Sequence, residues 1–290
     1  MGVFDGVHKG HRQIISKVVK RANVCRTASL LVTFWPHPAN VLKPYKKVPL
    51  LISLKHRLSL IDGLGVDYAL VLRFTKKLSR MNASEFIKQL IKKIHIGEIV
   101  VGGNFFFGRN KSGSLEDLRA FSNIYGYKIN SVKPRKAFGK IISSTRIREL
   151  ILRGNLVRAS RLLSKPVAIL GTVVSGERRG RFMGFPTANI DPHHEAIPPS
   201  GVYAVKVRFG KKLHKGILNI GTRPTFKRAA YAGQDPTIEV NIFNFNKSIY
   251  GDDLEIMFVK KLRIEKKFRD LAALRRQIEK DRGRAKKILQ

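Results

Sequence analysis

The first residues of the chain combine glycine and histidine at spacings that suit phosphate chemistry. The run GVFDGVHKGH, from Gly2 to His11, leads directly into a segment with helical periodicity. Glycine lets the backbone approach an anion closely, and the unpaired N–H groups at a helix N-terminus attract negative charge. His8 and His11 lie three residues apart, so they can face one ligand. The run therefore predicts a nucleoside triphosphate site.

A second run, IISSTRIR, places two hydroxyls and an arginine close together. Ser144 and Thr145 stand at the predicted start of a helix, and Arg148 follows one turn later. Serine and threonine commonly cap helix N-termini, and arginine forms charge-assisted hydrogen bonds with phosphate oxygens. Capping alone would explain the two hydroxyls, whereas Arg148 favours a phosphate site.

A third run, from Gly171 to Asn189, reads GTVVSGERRGRFMGFPTAN. Its glycines allow backbone amides to wrap around a phosphate, and its arginines supply compensating charge. Thr187 and Asn189 offer oxygen ligands of the kind that Mg²⁺ accepts beside nucleotide phosphates. A β-turn with a proline-linked loop would explain the glycines but not this pair of ligands. The candidate phosphate-binding residues are Gly171, Gly176, Arg178, Gly180 and Arg181.

The N-terminal run resembles the phosphate-binding motif of the adenylyltransferase superfamily, in the form found in bacterial FAD synthetases. The runs TFWPHP, GGNFFFG and SSTRIR resemble later motifs of that family, in the same order. The resemblance implies that the FMN phosphate attacks the α-phosphorus of ATP, with His8 and His11 stabilising the developing charge. It also implies ATP-binding roles for Gly2, Phe4, Asp5, Gly6, Gly10, Ser144, Thr145 and Arg148, and flavin-binding roles for Asn104, Phe105 and Phe107. Adjacent phenylalanines are equally typical of a hydrophobic core.

The N-terminal half departs from the family pattern at three positions. Trp35 replaces a usual acidic residue, and Phe106 stands where a polar or basic residue is common. Met1 directly precedes the first glycine, where the family has a buried strand, so the resemblance implies a parallel sheet without its first strand. Either the start of the sequence is set too late or this half is impaired, and the readable later motifs favour the first explanation.

The third run resembles the riboflavin kinase signature. That resemblance extends to Glu239, which matches the family's catalytic carboxylate, and to Arg263, which matches the loop on the flavin side. An acceptor hydroxyl needs such a base or positioning group within hydrogen-bond reach. Asn241 and Asn244 depart from the family's common histidine and aspartate.

Together the resemblances imply a bifunctional riboflavin kinase and FAD synthetase. We expect an adenylyltransferase domain over residues 1–163 and a riboflavin kinase domain over 164–290, with ATP, riboflavin and FMN as substrates and Mg²⁺ as cofactor. A kinase with an impaired N-terminal half is the first alternative. A basic nucleic-acid-binding protein is a weaker one, because charge alone supports it.

Two different secondary-structure patterns must position these residues. In the N-terminal half, β-prone runs at 28–34, 67–74 and 98–102 alternate with helical stripes at 12–22 and 84–94, which predicts a Rossmann-like α/β domain with a parallel sheet. From about Pro166, five short β-like runs separated by turns predict an antiparallel barrel. A helical stripe through Phe268, Leu271, Leu274 and Ile278 predicts a terminal α-helix that closes the barrel.

Composition sets outer limits on these predictions. The 290 residues carry a net charge of +37, which favours polyanions or phosphate-rich ligands. The single cysteine, Cys25, cannot form an internal disulfide, and the sequence has neither a signal-peptide pattern nor about 18 consecutive apolar residues. We therefore expect a cytoplasmic enzyme without a membrane partner, while the oligomeric state is left open.

Overall fold

The chain forms two compact units, Met1–Arg146 and Ile147–Gln290. The structure is a computed structural model that describes residues 1–176, 184–193, 196–222 and 236–290. Three candidate phosphate-binding residues, Arg178, Gly180 and Arg181, lie outside the described residues. Each unit is described by itself below.

Helices and strands alternate in the N-terminal unit. Its helices are α1 (Lys9–Cys25), α2 (Pro38–Leu42), α3 (Leu54–Asp62), α4 (Lys76–Arg80), α5 (Ala83–Lys93) and α6 (Leu115–Tyr125), and α7 (Ser144–Leu152) begins at its end. Its strands are β1 (Leu30–Trp35), β2 (Tyr68–Arg73), β3 (Glu98–Gly102), β4 (Lys128–Val132), β5 (Lys136–Ala137) and β6 (Lys140–Ile141). The alternation predicted from the sequence is confirmed.

The strands of this unit form parallel ladders, as predicted. β1 pairs with β2, Leu30 lying opposite Tyr68, and β3 pairs with β4. In the described part of the chain these are two separate two-stranded sheets, and β5 and β6 form a small antiparallel hairpin. Beside β1, the Gly2 amide donates a hydrogen bond of 3.0 Å to the Val32 carbonyl. The Gly2 segment is thereby held at the middle of β1.

Local sequence explains where the longer helices begin and which faces they bury. The imidazole of His8 caps α1, and Ile15 and Ala22 face its core side. Asn82 and Glu85 form a reciprocal capping box at α5, in which each side chain accepts a backbone N–H of the other residue. The apolar stripes at helical spacing are therefore buried as predicted.

The C-terminal unit is a closed barrel of six antiparallel strands. In chain order the elements are α8 (Leu156–Leu163), β7 (Ala168–Val174), β8 (Ala188–Asp191), β9 (Gly201–Phe209), β10 (Lys212–Thr222), β11 (Pro236–Ile242), β12 (Asp253–Arg263) and α9 (Leu271–Ile288). The strand order around the barrel is β10-β11-β8-β7-β12-β9. The predicted barrel with a terminal helix is confirmed, and closure leaves no unpaired sheet edge.

The terminal helix packs on the barrel through its C-terminal half. Ala285 and Leu289 join a cluster with Val202 and Ala204 of β9, and Ile278 packs against that cluster. Leu271, which the predicted stripe included, is 72% exposed, because the helix begins there and its first turn lies away from the cluster. The predicted stripe was therefore one turn too long.

Candidate active sites in the two units

The N-terminal unit encloses a cavity of about 930 Å³ with two chemically distinct ends. One end is polar and is formed by the loop before α1 and by Ser143–Thr145 at the start of α7. The other is apolar and is lined by Phe34, Phe74, Leu78, Met81, Phe86 and Phe105–Phe107. A cavity of this size can hold two joined ligands, one of them with a large aromatic ring system.

His8 and His11 lie together at the polar end. Their rings stack with centroids 3.6 Å apart, and the His11 amide donates to His8 Nδ1 at 3.3 Å, which makes His8 the N-cap of α1. Phe4 meets His11 edge-on at 5.2 Å. The predicted pair therefore forms one unit at the N-terminus of a 17-residue helix, where backbone N–H groups and the helix dipole favour an anion.

Burial controls the protonation of both histidines. It lowers the pKa of His8 to about 4, since the ring is almost inaccessible to water. Burial, repulsion by His8 and repulsion by Arg57 together hold the pKa of His11 well below its ordinary value. Both rings are consequently neutral near pH 7 and offer hydrogen bonds to phosphate oxygens without a full positive charge.

The loop before α1 has a backbone that its glycines alone do not explain. Gly6 has a φ of 84°, and Phe4 and Val7 also have positive φ values, of 53° and 41°. The buried Asp5 carboxylate accepts hydrogen bonds from the amides of Leu51, at 2.9 Å, and Ile52, at 3.3 Å. Asp5 thus lines the cavity while its carboxylate fixes the loop to the segment before α3.

A buried arginine that the sequence analysis missed supports the same loop. Arg57 of α3 donates from Nη1 to Thr33 Oγ1 and to the Phe34 carbonyl, at 3.3 and 3.2 Å. Thr33 Oγ1 in turn donates to the Val3 carbonyl at 3.1 Å. The guanidinium is fully buried, and this burial lowers the pKa of Arg57. In the sequence, the one sign that Arg57 is buried is its position within the amphipathic pattern of α3.

In the second predicted phosphate run, IISSTRIR, neighbouring residues have different contacts. Ser143 Oγ accepts the Arg146 amide at 3.3 Å and so caps α7, whereas Ser144 Oγ donates to the Asp5 carbonyl at 2.9 Å. Thr145 lines the cavity. Arg148 lies one turn further along α7 with a buried side chain and is not a lining residue. The structure thus brings Ser144 and Thr145 to the histidine loop through the 2.9 Å bond.

The aromatic run serves both the core and the cavity. Phe105 and Phe107 stack at 5.6 Å and pack against the buried cluster around Val101, while they also line the cavity. Phe106 also lines it and is 56% exposed. Asn104 lines the cavity beside the end of β3. The interpretation of Phe105 and Phe107 as core residues is therefore confirmed, while their ring-binding role stays a prediction that their place on the cavity wall allows.

In the C-terminal unit, three polar residues lie in one row across neighbouring strands. Glu239 of β11 pairs directly with Asn189 of β8 on one side and with Asn219 of β10 on the other. Directly paired residues project on the same face with Cβ atoms about 4.5–5.5 Å apart. The predicted carboxylate therefore lies beside one predicted metal ligand, Asn189, and the other, Thr187, lies two residues earlier, directly before β8. Asn219 was not among the predicted site residues.

Gly171 and Gly176 of the third run must be glycine for different structural reasons. A Cβ at Gly171 would collide with Ile190 and with the backbone of Asp191, so this glycine permits close packing of β7 on β8. A Cβ at Gly176 would collide with the side-chain amide of Asn189. Gly176 therefore brings open backbone against one of the predicted metal ligands, whereas Gly171 lies inside the strand pair.

Arg263 joins the end of β12 to the terminal helix. Its Nε donates to Asp281 Oδ2 at 2.8 Å, and Nη1 donates to the Ile264 carbonyl at 3.0 Å. Gln277 donates to the other oxygen of Asp281, which is buried, and the guanidinium lies over the Phe268 ring at 5.7 Å. These contacts fix the segment that connects β12 and α9.

Both units match known enzyme families. Residues 1–146 match the family model described as FAD synthetase, and residues 163–289 match the one described as riboflavin kinase. Curated relatives named bifunctional riboflavin kinase/FMN adenylyltransferase are similar over nearly the whole chain. The protein from Listeria monocytogenes is 36% identical over 97% of this chain and 88% of its own length, and that from Bacillus subtilis is 35% identical over 98% and 90%. The chain therefore belongs to the family of bifunctional riboflavin kinase/FMN adenylyltransferases.

A solved structure has the same fold over the same length. It is described as a macrolide-efflux protein from Streptococcus pneumoniae and is 31% identical, with a TM-score of 0.84 over 99% of this chain and 92% of that one. Within the residues that the structure describes, no helix is long and apolar enough to cross a membrane.

Proposed function

We propose that the chain makes FAD from riboflavin in two ATP-dependent reactions, one in an N-terminal domain and one in a C-terminal domain. We assign FMN adenylyltransferase activity to residues 1–163 and riboflavin kinase activity to residues 164–290. The observation that carries the proposal is the presence of both family modules in one chain, each with its own group of polar residues. The relatives that share this arrangement carry both activities in their names.

In the kinase reaction, the terminal hydroxyl of riboflavin attacks the γ-phosphorus of ATP and ADP leaves. Glu239 accepts the hydroxyl proton, since a carboxylate is the base or positioning group that such transfers use. Its direct pairing with Asn189 supports this role, because the base and the nucleotide must meet. Gly176 and the cationic run that follows it bind the phosphates, and we keep Gly171, Arg178, Gly180 and Arg181 in that group. Arg263 positions the flavin-side loop through Asp281.

A magnesium ion suits the donors near Glu239. Hydroxyl and amide oxygens are among the hard ligands that Mg²⁺ accepts, and Thr187 and Asn189 supply one of each. In the described residues no group of three histidine, cysteine, aspartate or glutamate side chains could hold a metal ion. Thr187 and Asn189 would hold Mg²⁺ together with the nucleotide phosphates, whose charge the ion would neutralise.

In the adenylyl transfer, a phosphate oxygen of FMN attacks the α-phosphorus of ATP and pyrophosphate leaves. Neutral His8 and His11 donate hydrogen bonds to the phosphate oxygens that gain charge, in a site preorganised by burial. Ser144, Thr145 and the start of α7 hold the triphosphate from the other side, with Arg148 as a further cation. The ATP-binding loop before α1 is formed by Gly2, Phe4, Asp5, Gly6 and Gly10. The flavin ring is held by Asn104, Phe105 and Phe107.

The time course of flavin products tests both assignments at once. The chain is incubated with riboflavin, ATP and Mg²⁺, and the flavins are separated by chromatography. We expect FMN first and FAD later. His11→Gln should slow FAD formation from FMN by about 10²–10³-fold and leave the kinase rate unchanged, because it removes one transition-state donor.

Glu239→Gln is the matched control and should give the reverse pattern, a kinase rate lower by about 10²–10⁴-fold with normal conversion of supplied FMN. FMN without FAD would contradict the N-terminal assignment and leave a riboflavin kinase. Absence of both products would overturn the proposal. The proposal also includes a cytoplasmic location and small-molecule substrates as the main partners.

A further inference from the structure

Two cations at the end of β4 line the N-terminal cavity without an assigned role. Lys133 and Arg135 flank Pro134 directly after the strand, and all three residues line the cavity. The backbone holds the stretch at both ends, since the Gly103 amide donates to the Val132 carbonyl and the Ile142 amide donates to the Arg135 carbonyl, each at 2.9 Å. The stretch thus lies between the Asn104 side of the cavity and the start of α7.

The charge of these two residues is not neutralised within the cavity. Among the residues that line it, Asp5 is the only acidic one, and its carboxylate is engaged by the Leu51 and Ile52 amides. Within the described chain, neither Lys133 nor Arg135 forms an ion pair or a side-chain hydrogen bond. Lys111, the last residue of a short 3-10 helix at Arg109–Lys111, is a third lining cation. The cavity wall therefore offers free positive charge to a ligand.

We propose that Lys133 and Arg135 bind the phosphate group of FMN and thereby select FMN over riboflavin as the adenylyl acceptor. The proposal rests on the proposed adenylyl transfer in this cavity. The FMN phosphate must lie between its flavin ring, at Asn104–Phe107, and the ATP triphosphate, at the histidine loop and Ser144. Lys133 and Arg135 line the cavity on the stretch whose backbone is bonded to Gly103, next to Asn104, at one end and to Ile142, before Ser144, at the other. The planar fork of arginine matches two phosphate oxygens, and lysine adds a mobile point charge.

Steady-state kinetics of FAD formation from supplied FMN and ATP test the proposal in the full-length chain. Lys133→Gln and Arg135→Gln should each raise the KM for FMN about 10-fold, and the double variant about 50-fold or more, as expected for lost charge-assisted hydrogen bonds. The KM for ATP should change less than about 3-fold, within the range of an indirect effect. The riboflavin kinase rate of the same samples reports correct folding of the other unit.

Two controls separate phosphate recognition from a general loss of charge or shape. Lys136→Gln with Lys140→Gln removes two positive charges from the neighbouring β5–β6 hairpin, whose lysines are exposed and do not line the cavity, and should leave the KM for FMN unchanged. Lumichrome has a flavin-like ring system but neither ribityl chain nor phosphate. Its inhibition constant against FMN should be the same in the double variant and the unaltered chain, because the ring-binding surface is intact.

The outcomes distinguish this proposal from the proposed function. If the unaltered chain makes no FAD from FMN, the adenylyltransferase assignment fails and this proposal fails with it. If FAD forms and the double variant keeps the KM for FMN, the phosphate role alone is overturned. A rise in the KM for ATP without a rise for FMN would also overturn it, since the cations would then serve the triphosphate.

Discussion

At the residue scale, the chemistry of the N-terminal cavity depends on polar groups whose charge is set by burial. His8 and His11 are neutral because burial disfavours their charged forms and because Arg57 lies near His11. Asp5 is buried but satisfied by two backbone amides. The cavity is therefore lined by hydrogen-bond donors and by the starts of α1 and α7, while its exposed cations are Lys111, Lys133 and Arg135 at the wall.

The buried histidines make the stability of the N-terminal unit depend on pH. In the folded state His8 binds a proton only near pH 4, because burial lowers its pKa to about 4, whereas in the unfolded chain it binds one near pH 6.5. The free energy of unfolding therefore decreases as the pH falls through this interval. Between pH 7 and pH 5, His8 alone should account for a loss of about 2 kcal/mol.

Urea unfolding followed by the fluorescence of Trp35 measures this loss, because Trp35 is the single tryptophan and lies in the N-terminal unit. His8→Gln should flatten the dependence of the unfolding free energy on pH, and His95→Gln, at an exposed position, should not. An unchanged slope in His8→Gln would show that the histidine is already accessible to protons in the folded state.

At the element scale, the barrel and its terminal helix are joined by one buried ion pair. Arg263 at the end of β12 and Asp281 in the middle of α9 meet at 2.8 Å, with Asp281 only 1% exposed. Gln277 uses the second carboxylate oxygen, so the pair is well satisfied. Replacing one partner leaves a buried charge without compensation, which costs more than the pair itself contributes.

Asp281→Asn should therefore destabilise the C-terminal unit by about 3 kcal/mol and reduce kinase activity, since it frees the segment between β12 and α9. Hydrogen exchange of the α9 amides, together with thermal unfolding, measures the effect. Arg275→Gln is the control on the same helix, because its pair with Glu279 is exposed and should be worth at most about 0.5 kcal/mol. Equal effects of the two substitutions would contradict a special role for the buried pair.

At the scale of the whole molecule, the net charge of +37 is not explained by the cavities alone. A charge of this size attracts any polyanion, and such attraction is long-ranged, independent of sequence and sensitive to salt. The family match and the two groups of polar residues account for the chemistry without nucleic acid. We therefore expect weak, nonspecific association with nucleic acid and no dedicated binding site.

Fluorescence polarisation with a labelled DNA duplex tests this expectation. Affinity should fall by about 10³-fold or more between 50 and 200 mM KCl, as expected when several phosphate contacts release counterions. A second duplex of unrelated sequence should bind with the same affinity. Saturating DNA at 200 mM KCl should not change the rate of FAD formation. Tight, sequence-dependent binding at the higher salt concentration would contradict it.

The sequence by itself determined the two modules, their order and most of their elements. Helical and alternating periodicities depend on neighbouring residues, so α1, α5, β3 and five of the six barrel strands could be predicted within a few residues. The residue types of the phosphate runs also indicated their chemistry, because glycine, histidine, serine and arginine at these spacings together suit a phosphate ligand. The strands β4 and β8 were missed, since polar residues interrupt their short runs, KINSV and ANID.

Only the tertiary structure decided which residues meet. Glu239 pairs with Asn189, and Asp5 contacts Leu51, although the residues of each pair are far apart in the chain. The burial of Arg57 likewise depends on distant parts of the chain that pack around it. No local pattern encodes such distances, because they depend on strand register and on loops that the fold brings together. The same is true of Lys133 and Arg135, which read as ordinary surface cations until the end of β4 places them on the cavity wall.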